Sequence, residues 1–440
     1  ELIKEVSEET KTISVKAHVK KKGGRKPLSD KLPRVTRVVD FSDEEKHCSS
    51  CGQEMEKIGE DISERAEMIP PKVLVEKCIR PRCICRSCNR APVAKELPYV
   101  LANSIAANGL FAHILTSKFC DSLPFHRQEG ILSRYGIEYP KANMSNNAIQ
   151  FHETYGEHIV YLLEKQLFRG NLLQIDETTT QVLGEPNRAN KTKSYVWTFR
   201  GGGDKPAIVF DYRRTRNPNF LPEMLENYQG TVLTDGYTGY DSVCKGLNLT
   251  HAGCNAHARR YFVEAAEAGF KKAKLVLGIY AKLYQIESKA KRNNYSPEEL
   301  FSIRQEESKP LMRKLRKTVE KIHRNTRRKN TLFKATNYVM NQWPKLTQFL
   351  GDGSIPIDNN TTENAIRPYV IGRNNWLFSG SPRGAEAACM YYSLIETAKA
   401  NGHEPFWYLR RLFDELPFAK NNEDIDSLMP YNMPAQLDSS

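Results

Sequence analysis

The segment that most restricts the fold is residues 171–254, where strand patterns follow one another in an order that few topologies accept. Residues 171–176 read as a strand ending in a carboxylate, Asp176. Residues 194–200 and 207–212 read as two further strands, separated by the turn Gly201-Gly202-Gly203-Asp204. A helix is expected over 221–228, then a buried strand over 230–235 that again ends in a carboxylate, Asp235, and a fifth strand over 249–254. Three hairpin-like strands, a helix, a strand and another strand make the order of an α/β core, which periodicity alone does not narrow to one fold.

The flanks are helical. Apolar stripes over 104–120, 125–135 and 143–167 predict three helices, with Gly136 between the second and third and Asn143 or Ser145 capping the last. Short helices joined by a Gly-containing turn fit a helix-turn-helix, and fit any small bundle as well. Residues 258–350 are helical, low in strand signal and basic, so they read as an insertion. Residues 271–345 hold 20 basic and 6 acidic residues, a net of +14 in a chain whose total is +13, which leaves the remainder at −1. Charge so concentrated suits a polyanion such as nucleic acid, or else a solvated helical face. After Gly353 and Pro356, Asn360 or Thr361 is expected to cap a helix carrying Glu363 and Arg367 on one face. The expected domains are a basic arm (1–45), a cysteine module (46–92), a helical region (100–166), an α/β core in two parts (167–266 and 351–400), the insertion (267–350) and a tail (401–440).

Hydrophobic residues make up 40% of the 440 and charged residues 27%, which excludes a wholly disordered chain. No stretch approaches 18 consecutive apolar residues and no charged-then-apolar leader stands at the N-terminus, so an intracellular chain without a membrane span is expected. It starts at Glu1 rather than Met, as it would if an N-terminal piece were missing. In such a chain ten cysteines point to metal rather than disulfide. Cys48-Ser49-Ser50-Cys51-Gly52 and Cys85-Arg86-Ser87-Cys88-Asn89 are two C-x2-C knuckles, each followed by a residue that tolerates a left-handed turn. A strand is expected between them over 72–77. Knuckles joined by strands describe a zinc ribbon in which Cys48, Cys51, Cys85 and Cys88 close a tetrahedral structural site. Cys78 and Cys83 are extras. The lysine-rich centre of the arm, residues 20–26, either tracks phosphates or serves as a plain linker.

Three carboxylates stand out by placement: Asp176 and Asp235 at strand ends, and Glu363 near a helix start. Ligands gather at strand C-termini in open α/β sheets. Three convergent carboxylates without a permanent cation partner repel one another unless divalent metal neutralises them. Magnesium takes such oxygen ligands and keeps open positions for substrate phosphate. Two such ions serve phosphodiester chemistry by activating the attacking oxygen and stabilising the leaving one.

Several longer strings carry a resemblance. They are Ile175-Asp176-Glu177-Thr178, Thr234-Asp235-Gly236-Tyr237, Cys254-Asn255-Ala256-His257-Ala258-Arg259-Arg260, and residues 358–368 continuing through 373–381. Tyr392-Ser393-Leu394-Ile395-Glu396-Thr397-Ala398 follows in register. In that order the chain resembles the DDE transposases of insertion sequence family 66, from about residue 25 almost to the C-terminus. The cysteine module and the segment 123–128 are similar to the family's N-terminal modules.

The resemblance implies an RNase H-like catalytic core, whose strand order is the one read above. Asp176, Asp235 and Glu363 match the catalytic acidic triad, binding two Mg2+ or Mn2+, with Zn2+ structural in the ribbon. Arg259, Arg260, Arg367, Arg373 and Arg383 are expected on DNA phosphates. Trp376 either stacks on an unpaired base or packs in the core. Cys254 and His257 match a C-x2-H element read as structural or DNA-facing rather than catalytic; a zinc role there is the alternative, although two residues cannot by themselves fill a site. Asn364 and Asn374 stand where the family usually has Arg and Lys, which removes positive charge near the DNA path without touching the triad. The implied partners are double-stranded DNA, further copies of the chain on paired ends, and two small accessory proteins, all in a bacterial cytoplasm. The alternatives are a transposase-derived DNA-binding protein without the chemistry, and an RNase H-like nuclease or resolvase that cleaves without joining.

Overall fold

The structure is a computed structural model that describes residues 34–36, 38, 46–47, 50–55, 59–60, 62–66, 72–90, 98–101 and 103–434. The expected arm over 1–45 falls almost wholly outside the described residues, as do Cys48 and residues 435–440. The chain divides into two units, Glu1–Val75 and Glu76–Ser440.

In the first unit an isolated antiparallel bridge joins His47 to Glu54, and the Met55 amide donates to the Lys46 carbonyl at 2.8 Å. This closes the chain around Cys51, and Gly52 takes the left-handed φ of +73° that the knuckle requires. In the second unit the Asn89 amide donates to the Cys85 carbonyl at 2.7 Å, with Asn89 at φ +54°. Both left-handed residues expected after the knuckles are therefore present. The strand expected over 72–77 is not: residues 72–80 lie in no ladder, with Leu74 80% and Val75 92% exposed. A strand needs a partner to satisfy its backbone, and the described residues supply none.

Helices α1 (Asn108–Phe119) and α2 (Phe125–Arg134) precede α3 (Lys141–Phe151), which passes through a π-turn into α4 (Glu157–Leu167). α3 starts earlier than expected, with Pro140 at its N-cap and no side-chain cap, so neither Asn143 nor Ser145 has that role. Five strands follow: β1 (Leu172–Gln181), β2 (Lys193–Gly201), β3 (Ala207–Arg213), β4 (Thr231–Thr234) and β5 (Thr250–Gly253). They form one sheet of order β3-β2-β1-β4-β5, antiparallel through β1, β2 and β3 and parallel from β1 through β4 to β5. A mixed sheet of this order, flanked by helices, is consistent with an RNase H-like core. Asp176 lies inside β1 and not at its end. The β-branched run Thr178-Thr179-Thr180 carries the strand on, paired with β2 as far as Gln181 opposite Lys193.

α5 (Leu221–Met224) is a single turn, shorter than expected, and α6 (Gly239–Gly246) lies between β4 and β5. α7 (Asn255–Glu267) follows β5, and the segment expected as the insertion holds α8 (Ala273–Arg292), α9 (Pro297–Ile303), α10 (Lys309–Arg324) and α11 (Thr331–Leu346). The chain then returns as α12 (Asn360–Trp376), α13 (Pro382–Ala400), α14 (Pro405–Glu415) and α15 (Asn422–Ser427).

Two cores result, one on each face of the sheet. Successive residues of β4 point to opposite sides: Val232 enters a core with Phe111, Phe151, Phe199, Tyr391 and Phe413, while Leu233 enters another with Phe262, Leu283, Leu315 and Val339. The helices of 100–166 thus share a core with the sheet. So does the segment after residue 400, expected as a tail, in which Leu409, Leu412, Phe413 and Met429 are fully buried. α10 shows how the insertion reconciles burial with charge. Met312, Leu315, Val319 and Ile322 form its buried stripe, while Arg313, Lys314, Lys317, Lys321 and Arg324 are exposed. No helix among the described residues is long and apolar enough to cross a membrane.

One buried cation ties the insertion to the loop before α12. Arg304, 1% exposed, donates to both carboxylate oxygens of Glu287 at 2.9 and 2.7 Å. Its Nη1 donates to the carbonyls of Phe349, Asp352 and Ile355 at 2.8, 3.0 and 2.9 Å. Arg304→Met leaves all of these unpaired, and a loss of about 3–5 kcal/mol in urea unfolding is expected. A loss below about 1 kcal/mol, the scale of a surface pair, would show that these bonds do not brace the loop.

Candidate active site

The β1–β4 pairing sets Leu172, Leu173 and Gln174 opposite Thr231, Val232 and Leu233. Continued two residues further, that register brings Asp176 level with Asp235, which directly follows β4. The Asp176 carboxylate accepts from the Glu177 amide at 2.9 Å. Burial first, then the charges of Glu177, Asp235 and Glu363, push its carboxyl up to about 7. Asp235 accepts from the Tyr237 amide at 2.8 Å, which fixes the turn after β4.

Glu363 arrives from far along the chain, and Asn359 determines where. This residue is fully buried and is the N-cap of α12. Its side-chain amide donates to the Ile175 carbonyl at 3.0 Å, and its side-chain oxygen accepts from Gln174 at 3.0 Å. Its backbone amide donates to Cys254 Sγ at 3.2 Å. The start of α12 is thereby stapled to β1 next to Asp176. The cap differs from the expected Asn360 or Thr361: Asp358 accepts from the Asn360 amide at 3.1 Å and from the Tyr284 hydroxyl at 2.8 Å.

The acids do have permanent cation neighbours, contrary to expectation. Arg216 donates through Nε to Glu177 at 2.6 Å, lies 3.8 Å from Asp235 Oδ2, and stacks 4.1 Å over the Tyr237 ring. Tyr240 donates its hydroxyl to the other oxygen of Glu177. Arg260 lies 3.2 Å from Glu363 Oε2. On the opposite oxygen, His257 Nδ1 is 3.5 Å from Glu363 Oε1, and both atoms are buried without a hydrogen-bond partner. Burial pushes the Cys254 thiol beside them up to about 12. Even with the two arginines, the charges of its carboxylate neighbours still raise Asp176, so the donor set suits a hard divalent cation.

The other residues singled out are distributed as follows. Arg259 and Arg367 are exposed. Arg373 donates to the Thr178 hydroxyl at 3.0 Å and to the Thr179 carbonyl, clasping α12 to β1. Arg383 is two-thirds exposed and donates to Glu153 at 2.7 Å. Trp376 is half-buried, its ring against Gly372, where a Cβ would come within 2.1 Å of it, and 4.3 Å from Lys118 Nζ. Cys51, Cys85 and Cys88 are exposed, and in Cys85 the Cys88 amide lowers the thiol below its usual range. Sequence reasoning missed Arg216, Tyr240, Gln174 and Asn359. Asn359 stands inside the quoted string 358–368, whereas Arg216 lies in a loop without any motif.

Residues 103–387, well over half of the chain, match the family model described as Transposase IS66 family. The chain belongs to that family. Residues 393–431 match the IS66 C-terminal element, and residues 45–89 match the zinc-finger binding domain of transposase IS66. Two uncharacterized proteins of Sinorhizobium fredii, y4jD and y4qI, are each 28% identical to it, over 93% and 96% of this chain and 82% of each relative. As an IS66 transposase the chain is an enzyme of DNA transposition, with DNA as its partner and a cysteine-rich N-terminal region consistent with a zinc-binding module.

Proposed function

We propose that this IS66 transposase binds the inverted-repeat ends of its element and cuts and joins DNA at one acidic site, Asp176, Asp235 and Glu363. The observation that carries this reading is the convergence of β1, β4 and α12, through which Asp235 and Glu363 both act on the Asp176 carboxyl. Asp176 and Asp235 would hold two magnesium or manganese ions, with Glu363 completing the second site. When bound, such ions supply the charge that activates an attacking oxygen and stabilises a leaving one. Water is the first nucleophile, freeing a 3′ hydroxyl at the element end, and that hydroxyl then attacks a target phosphodiester. Arg216 holds Glu177 beside Asp235, and Arg260 holds one oxygen of Glu363, so the acids are oriented before DNA arrives.

Cys48, Cys51, Cys85 and Cys88 are proposed to hold the structural zinc, supported by their knuckle spacing and by the left-handed residues Gly52 and Asn89. The α1–α4 region, as a helix-turn-helix-like reader, is proposed to bind the ends, with Arg259, Arg260, Arg367, Arg373, Arg383 and Trp376 along the DNA path. The exposed basic face of α10 is proposed to hold flanking or target DNA. Assembly on paired ends as a dimer or larger, assistance from two accessory proteins, and a bacterial cytoplasmic setting belong to the same reading.

The test is strand transfer of a pre-cleaved element end into plasmid DNA with magnesium. Joined products support the reading, cleavage alone favours a nuclease or resolvase, and end binding without either favours a silent DNA-binding protein. Salt dependence is a separate check. Six to ten phosphate contacts predict an affinity loss of about 10³–10⁵-fold between 50 and 200 mM salt. Neutralising Lys314 and Lys317 together is expected to reduce the log–log slope by about 2. An unchanged slope removes α10 from the DNA path.

A further inference from the structure

Cys254 follows β5 and is the N-cap of α7, and His257 stands three residues on, so one helical turn sets thiol and imidazole on the same side. The sequence offers only these two ligands there. The fold adds a third from α12: Cys254 Sγ, a ring nitrogen of His257 and a carboxylate oxygen of Glu363 all lie within 4.8 Å of one another. His257 Nδ1 and Glu363 Oε1 are sealed from solvent, lack hydrogen-bond partners, and face each other at 3.5 Å. Buried polar atoms without partners are rare, and a shared cation is one arrangement that satisfies both at once. Their separation is long for a hydrogen bond, but it is close to the roughly 3.3 Å that two ligands keep on a tetrahedral zinc with bonds of about 2.0–2.1 Å. Arg260 occupies the other oxygen of Glu363, at 3.2 Å, and leaves Oε1 to the cluster.

We propose that Cys254, His257 and Glu363 bind a divalent cation of the zinc class through Sγ, Nδ1 and Oε1, with a fourth position open to water. Thiol and imidazole donors select zinc over magnesium, so this site is distinct in chemistry from the oxygen-only pair at Asp176 and Asp235. The thiol proton leaves to solvent as the sulfur–metal bond forms. The bound cation fixes one oxygen of Glu363 from the side of α7, which makes Cys254 and His257 positioning residues for the acid. Glu363 is common to both readings, but metal binding here does not depend on the strand-transfer chemistry.

The test is metal content of the full chain after purification with zinc and dialysis. Wild type is expected to retain one equivalent more than His257→Gln, whether or not the knuckle cysteines hold another. A Cys85→Ser, Cys88→Ser double variant is expected to keep the cluster's equivalent. Loaded with cobalt, that double variant should show a thiolate-to-metal charge-transfer band that loses intensity, by about one thiolate per chain, on adding Cys254→Ser. Because Cys254 is buried and its variant can misfold, His257→Gln is the deciding protein, with its fold checked by circular dichroism. A folded His257→Gln chain with unchanged zinc content overturns the proposal, as does a cobalt band whose intensity is unchanged by loss of Cys254. Strand transfer is read separately: a chain that loses one zinc in His257→Gln yet never joins DNA keeps this site and loses the transposition mechanism.

Discussion

Glu363→Gln is expected to lower mobility of the element in cells by roughly 10³-fold or more, while protein level and end binding stay as in wild type. Glutamine keeps the size of the side chain and removes the charge that completes the metal site. Losing about 4 kcal/mol of transition-state stabilisation accounts for the loss at about 1.4 kcal/mol per tenfold. The fold should tolerate the change. The change weakens the ion pair with Arg260, whose side chain is 55% exposed against 22% for Glu363, and the longer contact with His257; a pair with one exposed partner contributes about 1 kcal/mol. The assay is mobility of a marked element with the accessory genes supplied, alongside end binding by the purified proteins. A mutant that moves as often as wild type removes Glu363 from the chemistry.

Asp176→Asn is expected to stabilise the protein by an amount that grows as pH rises from about 4 through about 7, when magnesium and manganese are absent. The Asp176 carboxyl is raised from 3.8 to about 7 in the folded chain. Between those values the folded state binds more protons than the unfolded state, so stability is lost as pH rises from about 4 through about 7. The full loss is on the order of 4 kcal/mol at pH 8, and it vanishes near pH 4. Asparagine removes that charge at every pH. Chemical unfolding at pH 5 and pH 8 should therefore separate the two proteins mainly at the higher value. Added magnesium should recover most of the difference in wild type and little in the mutant, because the unfolded chain lacks the site. Curves that superimpose at pH 8 would mean that burial and the neighbouring charges do not raise the Asp176 carboxyl.

Much of this was legible in the chain itself. Period-two alternation and turn residues are local signals, so β2, β3, β4 and β5 fall within a residue or two of where the pattern sets them. Gly52 and Asn89 follow from knuckle geometry, which a few adjacent residues specify. The three acids were singled out because the pattern sets them at element ends in a telling order, although Asp176 lies inside β1. The basic stripe of α10 was also visible as charge, although its burial pattern shows why it can be both core and surface.

Other features depend on contacts between distant segments. β1 continues past Asp176 because β2 extends a ladder to Gln181, and a ladder's length depends on its partner. The segment 72–77 has strand composition and no ladder, for the same reason in reverse. Arg216, Arg260 and Asn359 reach Glu177, Glu363 and Ile175 only once the sheet has formed and α12 has docked on it. His257 becomes a candidate metal ligand only when the chain returns, after the whole insertion, to bring Glu363 beside it. The sequence by itself determined which residues carry charge and which local segments are strand, helix or turn, because those are properties of neighbouring residues. The tertiary structure decided which charges face one another, because that depends on register and packing across a hundred residues or more.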